Sequence, residues 1–117
     1  MIVSEGLAET FAATMFGEDR VGKWVRQTTP ETLSKIVKPL IRGNLMVSDF
    51  QALSSYLYGD EIMALRGSQP IGMPYCGGYA CGYALIGHYL RKTGVSIYEA
   101  TITPTEEILK QTEDFWQ

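Results

Sequence analysis

Histidine is almost absent from this chain of 117 residues, in which His88 is the only one. A zinc finger or zinc knuckle needs several Cys or His ligands at regular spacing, so the sequence excludes a self-contained module of that kind. Cysteine is also scarce. Cys76 and Cys81 lie in an apolar stretch and would point to different faces of a helix. We therefore expect two buried free thiols, as in a reducing cytoplasm.

An excess of positive charge is also missing, and the first residues do not predict a signal peptide. Ten basic and thirteen acidic residues give a net charge of −3, without a basic cluster. This excludes the electrostatic footprint expected for nucleic acid or an anionic membrane surface. Met1 is followed within a few residues by Ser4 and Glu5, without a basic and apolar signal segment. We expect a cytoplasmic protein that folds as one domain over residues 1–117.

Strand-like alternation is missing too, and helical spacing of apolar residues runs along nearly the whole sequence. Ser4, Thr29, Ser48 and Ser96 are placed to cap helices, whereas Pro39 should kink or end one. Glycine and proline predict a loop over 66–74. The pattern predicts an all-α, compact bundle of about six helices around a central helix, over residues 4–17, 20–27, 30–43, 48–59, 75–90 and 104–116, with a short turn at 96–98.

The predicted central helix, within residues 73–90, is rich in glycine and tyrosine. Gly78 and Gly82 match the small-residue spacing of paired membrane helices. Pro74 interrupts the run and the apolar segment is too short to span a bilayer. We predict a buried helix whose glycines let a neighbouring backbone approach closely.

Tyrosine hydroxyls on this helix suggest two roles. Tyr79 and Tyr83 lie one turn apart, and a positioned phenol can stabilise an oxyanion in a cleft. Core tyrosines whose hydroxyl is hydrogen-bonded are the commoner alternative.

His88 lies near the end of the same helix. It fits a hydrogen-bonded or partly exposed histidine better than a metal ligand.

Several short motifs recur in the same order in a known family. They are Ser-Glu-Gly-Leu-Ala-Glu at 4–9, Tyr-Gly-Asp at 58–60, Pro74 followed by Gly-Tyr-Ala-Cys-Gly-Tyr at 78–83, Tyr-Leu at 89–90 and Pro-Thr-Glu-Glu-Ile-Leu at 104–109. Together they resemble a family of bacterial predicted zinc-dependent proteases, a domain of unknown function. In that family a His-Glu-x-x-His helix precedes the Glu-Gly-Leu-Ala-Glu helix, as in glutamate-zinc peptidases.

The resemblance implies a role for three residues of this chain. Glu5 would be the third zinc ligand, and Glu9 would hold a ligand histidine from the second coordination shell. Tyr79 would supply a hydroxyl in the transition state. A spacing of four residues places Glu5 and Glu9 on one helix face. Without the resemblance, both carboxylates would simply suit the positive end of a helix.

The histidine-bearing helix of the family has no counterpart here. A catalytic zinc needs about three protein ligands, and a metallopeptidase needs a glutamate base as well. We therefore expect the C-terminal part of a zinc peptidase, either a truncated product or a fragment, which neither binds zinc tightly nor acts alone. The alternatives are a non-catalytic helical module for a peptide or protein partner, and a metal-free small-molecule pocket beside Tyr79 and Tyr83.

The same absence predicts an assembly. The family's missing helix should pack on the Glu5 helix and on the Gly78–Gly82 face. Its loss would expose apolar side chains such as Leu7 and Phe11, and large exposed apolar patches usually mark an interface. We expect a homodimer whose interface includes the first helix.

Overall fold

A computed structural model describes residues 2–17, 23–43 and 50–117. Over these residues the chain is helical and contains no strand, which confirms the all-α prediction. The structure divides most of the predicted helical regions into shorter segments and adds a helix at Asp60–Ala64, where none was predicted. They are α1 (Ile2–Phe16), α2 (Lys23–Arg26), α3 (Pro30–Thr32), α4 (Lys38–Arg42), α5 (Phe50–Tyr58), α6 (Asp60–Ala64), α7 (Gly77–Thr93), α8 (Ile97–Thr101) and α9 (Thr105–Gln111), with a π-helical turn at Leu33–Val37 and a 3₁₀ turn at Glu113–Trp116.

Helix α7 is the centre of the core, as its composition predicted. Cys81, Leu85 and Ile86 are fully shielded from solvent. Helices α1, α2 and α5 and the π-helical turn pack around it. The rest of the core comes from α1, the π-helical turn, α4, the loop before α7 and the C-terminal segments. Its residues are Val3, Val37, Ile41, Met73, Ile97, Ala100, Ile108, Phe115 and Trp116.

The glycine face of α7 is covered by other helices of the chain. A Cβ atom on Gly82 would meet the backbone of Ile2 and Gly6 in α1, and one on Gly78 would meet the backbone of α5 at Tyr56. The expectation that this face stays open is therefore wrong, because α1 and α5 fill it. Leu7 and Phe11 are half-buried against the core and are not part of a bare surface.

Two of the predicted caps are confirmed. The Thr29 side chain accepts a hydrogen bond from the Thr32 N–H, and the Ser96 side chain accepts one from the Glu99 N–H. The cap predicted at Ser4 is wrong, because α1 already begins at Ile2 and Ser4 lies inside its first turn. The predicted cap Ser48 and the start of the helix predicted at 20–27 lie outside the described residues.

Pro39 neither ends its helix nor leaves it regular. The chain passes through the π-helical turn at Leu33–Val37, where the Lys38 N–H donates to the Leu33 carbonyl, before α4 carries Pro39 near its start. Because proline has no N–H to donate and its ring crowds the preceding turn, a local widening of the helix accommodates it. The helix ends at Gly43, as predicted.

The C-terminal 3₁₀ turn is fastened to α7 by a charged cluster. Lys92 donates to Asp114 at 2.9 Å, and His88 Nε2 lies 3.2 Å from the same carboxylate. His88 is thus a partly exposed side chain beside a carboxylate near the end of α7, as expected. Both cysteines are buried free thiols. Among the described helices, none has the length and apolar character needed to cross a bilayer.

Candidate active site

Helix α1 presents its two predicted site carboxylates to an open cleft. Glu5 and Glu9 both line a cavity of 410 Å³, and both side chains are half-buried. Tyr79 of α7 lines the same cavity. The structure therefore brings together all three residues to which the sequence assigned a role. Tyr83, the second candidate tyrosine of α7, is half-buried but is not in the lining of this cleft.

A second tyrosine, Tyr58 at the end of α5, is paired with Tyr79. Their ring centroids are 5.6 Å apart and their planes are inclined at 57°. Burial, hydrogen bonding with the Tyr58 hydroxyl and the nearby negative charge of Glu5 raise the pKa of Tyr79 above its usual value. Tyr79 is therefore a neutral phenol near pH 7, which can donate a hydrogen bond to an oxygen in the cleft.

The segment that carries Tyr75 and Cys76 is held by the corner between α5 and α6. The Asp60 carboxylate accepts hydrogen bonds from the backbone N–H groups of Ile71 at 2.8 Å and Gly72 at 2.9 Å. The Asp60 N–H donates to the Met73 carbonyl at 2.9 Å. The Tyr-Gly-Asp motif therefore fixes the wall of the cleft, a role that its sequence did not reveal.

Gly59 has a steric reason to be glycine. Its φ of 87° lies in the left-handed region, and a Cβ atom there would collide with the Pro74 carbonyl. Cys76, two residues after Pro74 and directly before α7, also adopts a positive φ, of 49°. The Cys76 N–H donates to the Tyr58 carbonyl at 2.8 Å, which ties the start of α7 to the end of α5.

Five lining residues were not predicted as site residues, and Tyr58 is one of them. Trp24 of α2, Ile62 of α6 and Tyr75 complete the wall together with Cys76, whose thiol pKa is raised by burial. The raised pKa makes Cys76 a poor nucleophile near neutral pH. Trp24 and Ile62 belong to short helices whose apolar residues look like ordinary core positions. The sequence carried no signal that they would meet across a cleft.

The described residues do not make a zinc site on their own. They contain no group of three His, Cys, Asp or Glu side chains able to hold a metal ion. His88 lies in the cluster with Asp114 and Phe115, away from the lining of the cleft. Two carboxylates on one helix are fewer ligands than a catalytic zinc requires.

The comparisons with known proteins decide the family. Residues 1–110 match the model of the predicted Zn-dependent protease family, DUF2268. The chain belongs to this family. It is 36% identical over 110 residues to the uncharacterised protein YjfC of Bacillus subtilis strain 168. The alignment covers 94% of this chain and 36% of YjfC, so the chain spans about a third of the length of that relative. No solved structure matches the chain significantly.

Proposed function

We propose that this chain forms the carboxylate wall of a zinc-dependent peptidase site of the glutamate-zinc type. The supporting observation is the meeting of Glu5, Glu9 and Tyr79 at one cleft in a member of a predicted protease family. In this proposal Glu5 is one zinc ligand, and Glu9 orients a histidine ligand. The Tyr79 hydroxyl donates a hydrogen bond to the oxygen of the scissile carbonyl.

In this proposal the histidine ligands come from outside these 117 residues, because His88 is the only histidine and lies away from the cleft. The general base comes with them, because it is the glutamate of the His-Glu-x-x-His segment. A longer polypeptide that includes this sequence would supply them. The alignment with YjfC is compatible with this, since it leaves most of that protein's length unmatched. The chain alone should therefore neither retain stoichiometric zinc nor hydrolyse an unstructured protein.

The coding sequence upstream of the Met1 codon provides the first test. An in-frame His-Glu-x-x-His segment is expected there. The protein that contains both parts should bind one zinc ion per chain, and Glu5→Gln should abolish that binding. Glu9→Gln should weaken it about ten- to hundredfold, as loss of a carboxylate behind a ligand histidine does in other zinc proteins.

Glu31→Gln is the matched control, because Glu31 is exposed and pairs with Lys35 away from the cleft. Unchanged zinc affinity in Glu5→Gln would refute the assignment of Glu5. Stoichiometric zinc and proteolysis by the 117-residue chain alone would refute the claim that it is incomplete. A specific protein partner without any zinc binding would favour the alternative of a non-catalytic helical module.

We also propose a cytoplasmic location and a homodimer whose interface includes α1. The two buried free thiols support the location. Support for the dimer comes from the exposed end of α1, where Met15 is 49% and Phe16 is 68% exposed. Light scattering should give twice the chain mass, and Phe16→Glu should give a monomer. Leu65→Glu is the control, since Leu65 is 88% exposed and lies outside α1. A monomeric wild-type chain would refute the dimer.

A further inference from the structure

The walls of the cleft differ sharply in chemistry. One wall, from α1, carries the carboxylates of Glu5 and Glu9. The remaining lining residues are mostly aromatic or aliphatic. They are Trp24, Tyr58, Ile62, Tyr75, Cys76 and Tyr79. Binding sites for organic ligands commonly combine such an apolar lining with a few polar groups that set the orientation of the ligand.

Two of the rings in the lining remain incompletely covered by the chain. Trp24 is 43% exposed and Tyr75 is 37% exposed, although both are large apolar side chains. Both border a volume of 410 Å³, which lies within the range of about 300–1,000 Å³ typical of ligand pockets. A ligand that covers these rings would remove apolar surface from water, and an aromatic side chain buries roughly 150–250 Å².

A charged side chain suits this cleft less well than a neutral one. An acidic side chain would be repelled by Glu5 and Glu9, and the described lining contains no lysine or arginine to compensate. A basic side chain would need a carboxylate that is not already in use. Glu5 is committed to the metal in the proposed function, and Glu9 already takes part in another interaction.

We propose that the cleft is a specificity pocket that takes a large apolar side chain, above all an aromatic one, from a polypeptide substrate. The identity of the substrate as a polypeptide rests on the proposed function. The preference for an apolar side chain rests on the lining itself. Ring-on-ring contacts with Trp24 and Tyr75 would hold the side chain, next to the carboxylates and the Tyr79 hydroxyl.

The test is a binding experiment on the metal-free chain, with amino-acid amides as probes. N-acetyl-phenylalanine amide, N-acetyl-lysine amide and N-acetyl-glutamate amide are titrated while the indole N–H signals are followed by NMR. Trp24 reports on the cleft, whereas Trp116 is buried beside a different cavity and serves as the internal control. The phenylalanine probe should shift Trp24 alone, with an affinity at least about tenfold above that of the glutamate probe. In the Glu5→Gln chain, where residue 5 cannot attract an ammonium group, its affinity should also be at least about tenfold above that of the lysine probe.

Substitutions at Ile62 test whether the probe occupies the cleft. Ile62→Trp should fill the cavity and weaken binding of the phenylalanine probe at least tenfold. Ile102→Trp is the matched control, because Ile102 is 84% exposed and outside the lining. Ile62→Glu adds a charge without filling the space, and should reverse the preference towards the lysine probe. Equal binding of the phenylalanine and lysine probes by the Glu5→Gln chain, or unchanged binding of the phenylalanine probe in both Ile62 variants, would overturn the proposal.

A further variant separates this inference from the zinc proposal. Glu5→Gln removes the proposed metal ligand but leaves the rings in place, so it should still bind the phenylalanine probe. Binding of the probe together with failure of Glu5 as a zinc ligand would refute the metal assignment and support the pocket. Zinc binding through Glu5 in the longer protein, with no binding of the phenylalanine probe, would refute the pocket alone.

Discussion

Gly6 of α1 and Gly82 of α7 meet backbone to backbone where the two helices cross. A Cβ atom on Gly6 would collide with the Gly82 carbonyl, and one on Gly82 would press on the backbone of Ile2. Neither obstacle is a flexible side chain that could move away. This contact sets the distance between the helix that carries Glu5 and the helix that carries Tyr79.

Gly82→Ala should therefore destabilise the fold. Overpacking of a close contact typically costs about 1–3 kcal/mol, which exceeds the gain of about 1 kcal/mol in helix propensity. Gly87→Ala is the matched control in the same helix, because its new methyl would meet only the movable end of Arg91. Chemical denaturation should show a lower free energy of unfolding for Gly82→Ala, and an equal or higher one for Gly87→Ala. A Gly82→Ala chain as stable as wild type would contradict this account.

Asp60 is predicted to be essential for the order of the cleft wall. Asp60→Ala removes the acceptor for the N–H groups of Ile71 and Gly72. Hydrogen bonds to a charged group contribute about 1.5–3 kcal/mol, so the free energy of unfolding should fall by roughly that amount. Amide exchange at Ile71 and Gly72 should accelerate as well. Glu61→Ala, at the exposed neighbouring acid, should change neither quantity. Unaltered exchange in Asp60→Ala would show that other contacts hold the loop.

The sequence predicted the parts of this molecule that depend on local spacing. Periodic apolar residues predicted the central helix, and Thr29 and Ser96 predicted helix starts that the structure confirms. The spacing of Glu5 and Glu9 predicted that they lie on one face of α1, and that face borders the cleft, whereas their role in a site was implied only by the family resemblance. Each of these inferences needs only the geometry of a single helix.

Contacts between distant segments could not be predicted in the same way. The sequence did not predict helix α6, because Gly59 resembles a residue that ends a helix. In the structure the positive φ of Gly59 turns the chain, and α6 begins at the next residue. Trp24, Ile62 and Tyr75 meet at the cleft through the packing of α2, α6 and the loop before α7. No pattern within any one of these segments specifies the others as neighbours.

Tyr58 is predicted to contribute to the raised pKa of Tyr79. Burial contributes most to the raised pKa of Tyr79, and the hydrogen bond with Tyr58 contributes next. Tyr58→Phe should therefore lower the pKa of Tyr79 towards its usual value without restoring it fully. The shift can be followed by NMR of ring-labelled tyrosine. Tyr98→Phe, at a half-exposed ring that contacts Phe11 and Met15, should leave the titration of Tyr79 unchanged. If Tyr58→Phe and Tyr98→Phe change the pKa of Tyr79 equally, the hydrogen bond between Tyr58 and Tyr79 does not contribute to that pKa.

Asp114 should make the stability of the chain depend on pH in the acid range. Hydrogen bonding to Lys92, and secondarily to His88, lowers the pKa of Asp114 from 3.8 to about 2. Because the pKa is depressed in the folded state, the contribution is complete above the unfolded value of 3.8 and is lost as pH falls through about 2. Asp114→Asn should be less stable than wild type near neutral pH, and the difference should vanish across this window.

The measurement is urea denaturation at a series of pH values, at low and at high salt. Salt should reduce the difference between wild type and Asp114→Asn, since the Asp114 side chain is 48% exposed and its charge is partly screened. Glu113→Gln, at the preceding exposed acid, is the control and should follow the wild-type profile. If Asp114→Asn differs from wild type by the same amount at every pH, the carboxylate does not fasten the 3₁₀ turn to α7 through its charge.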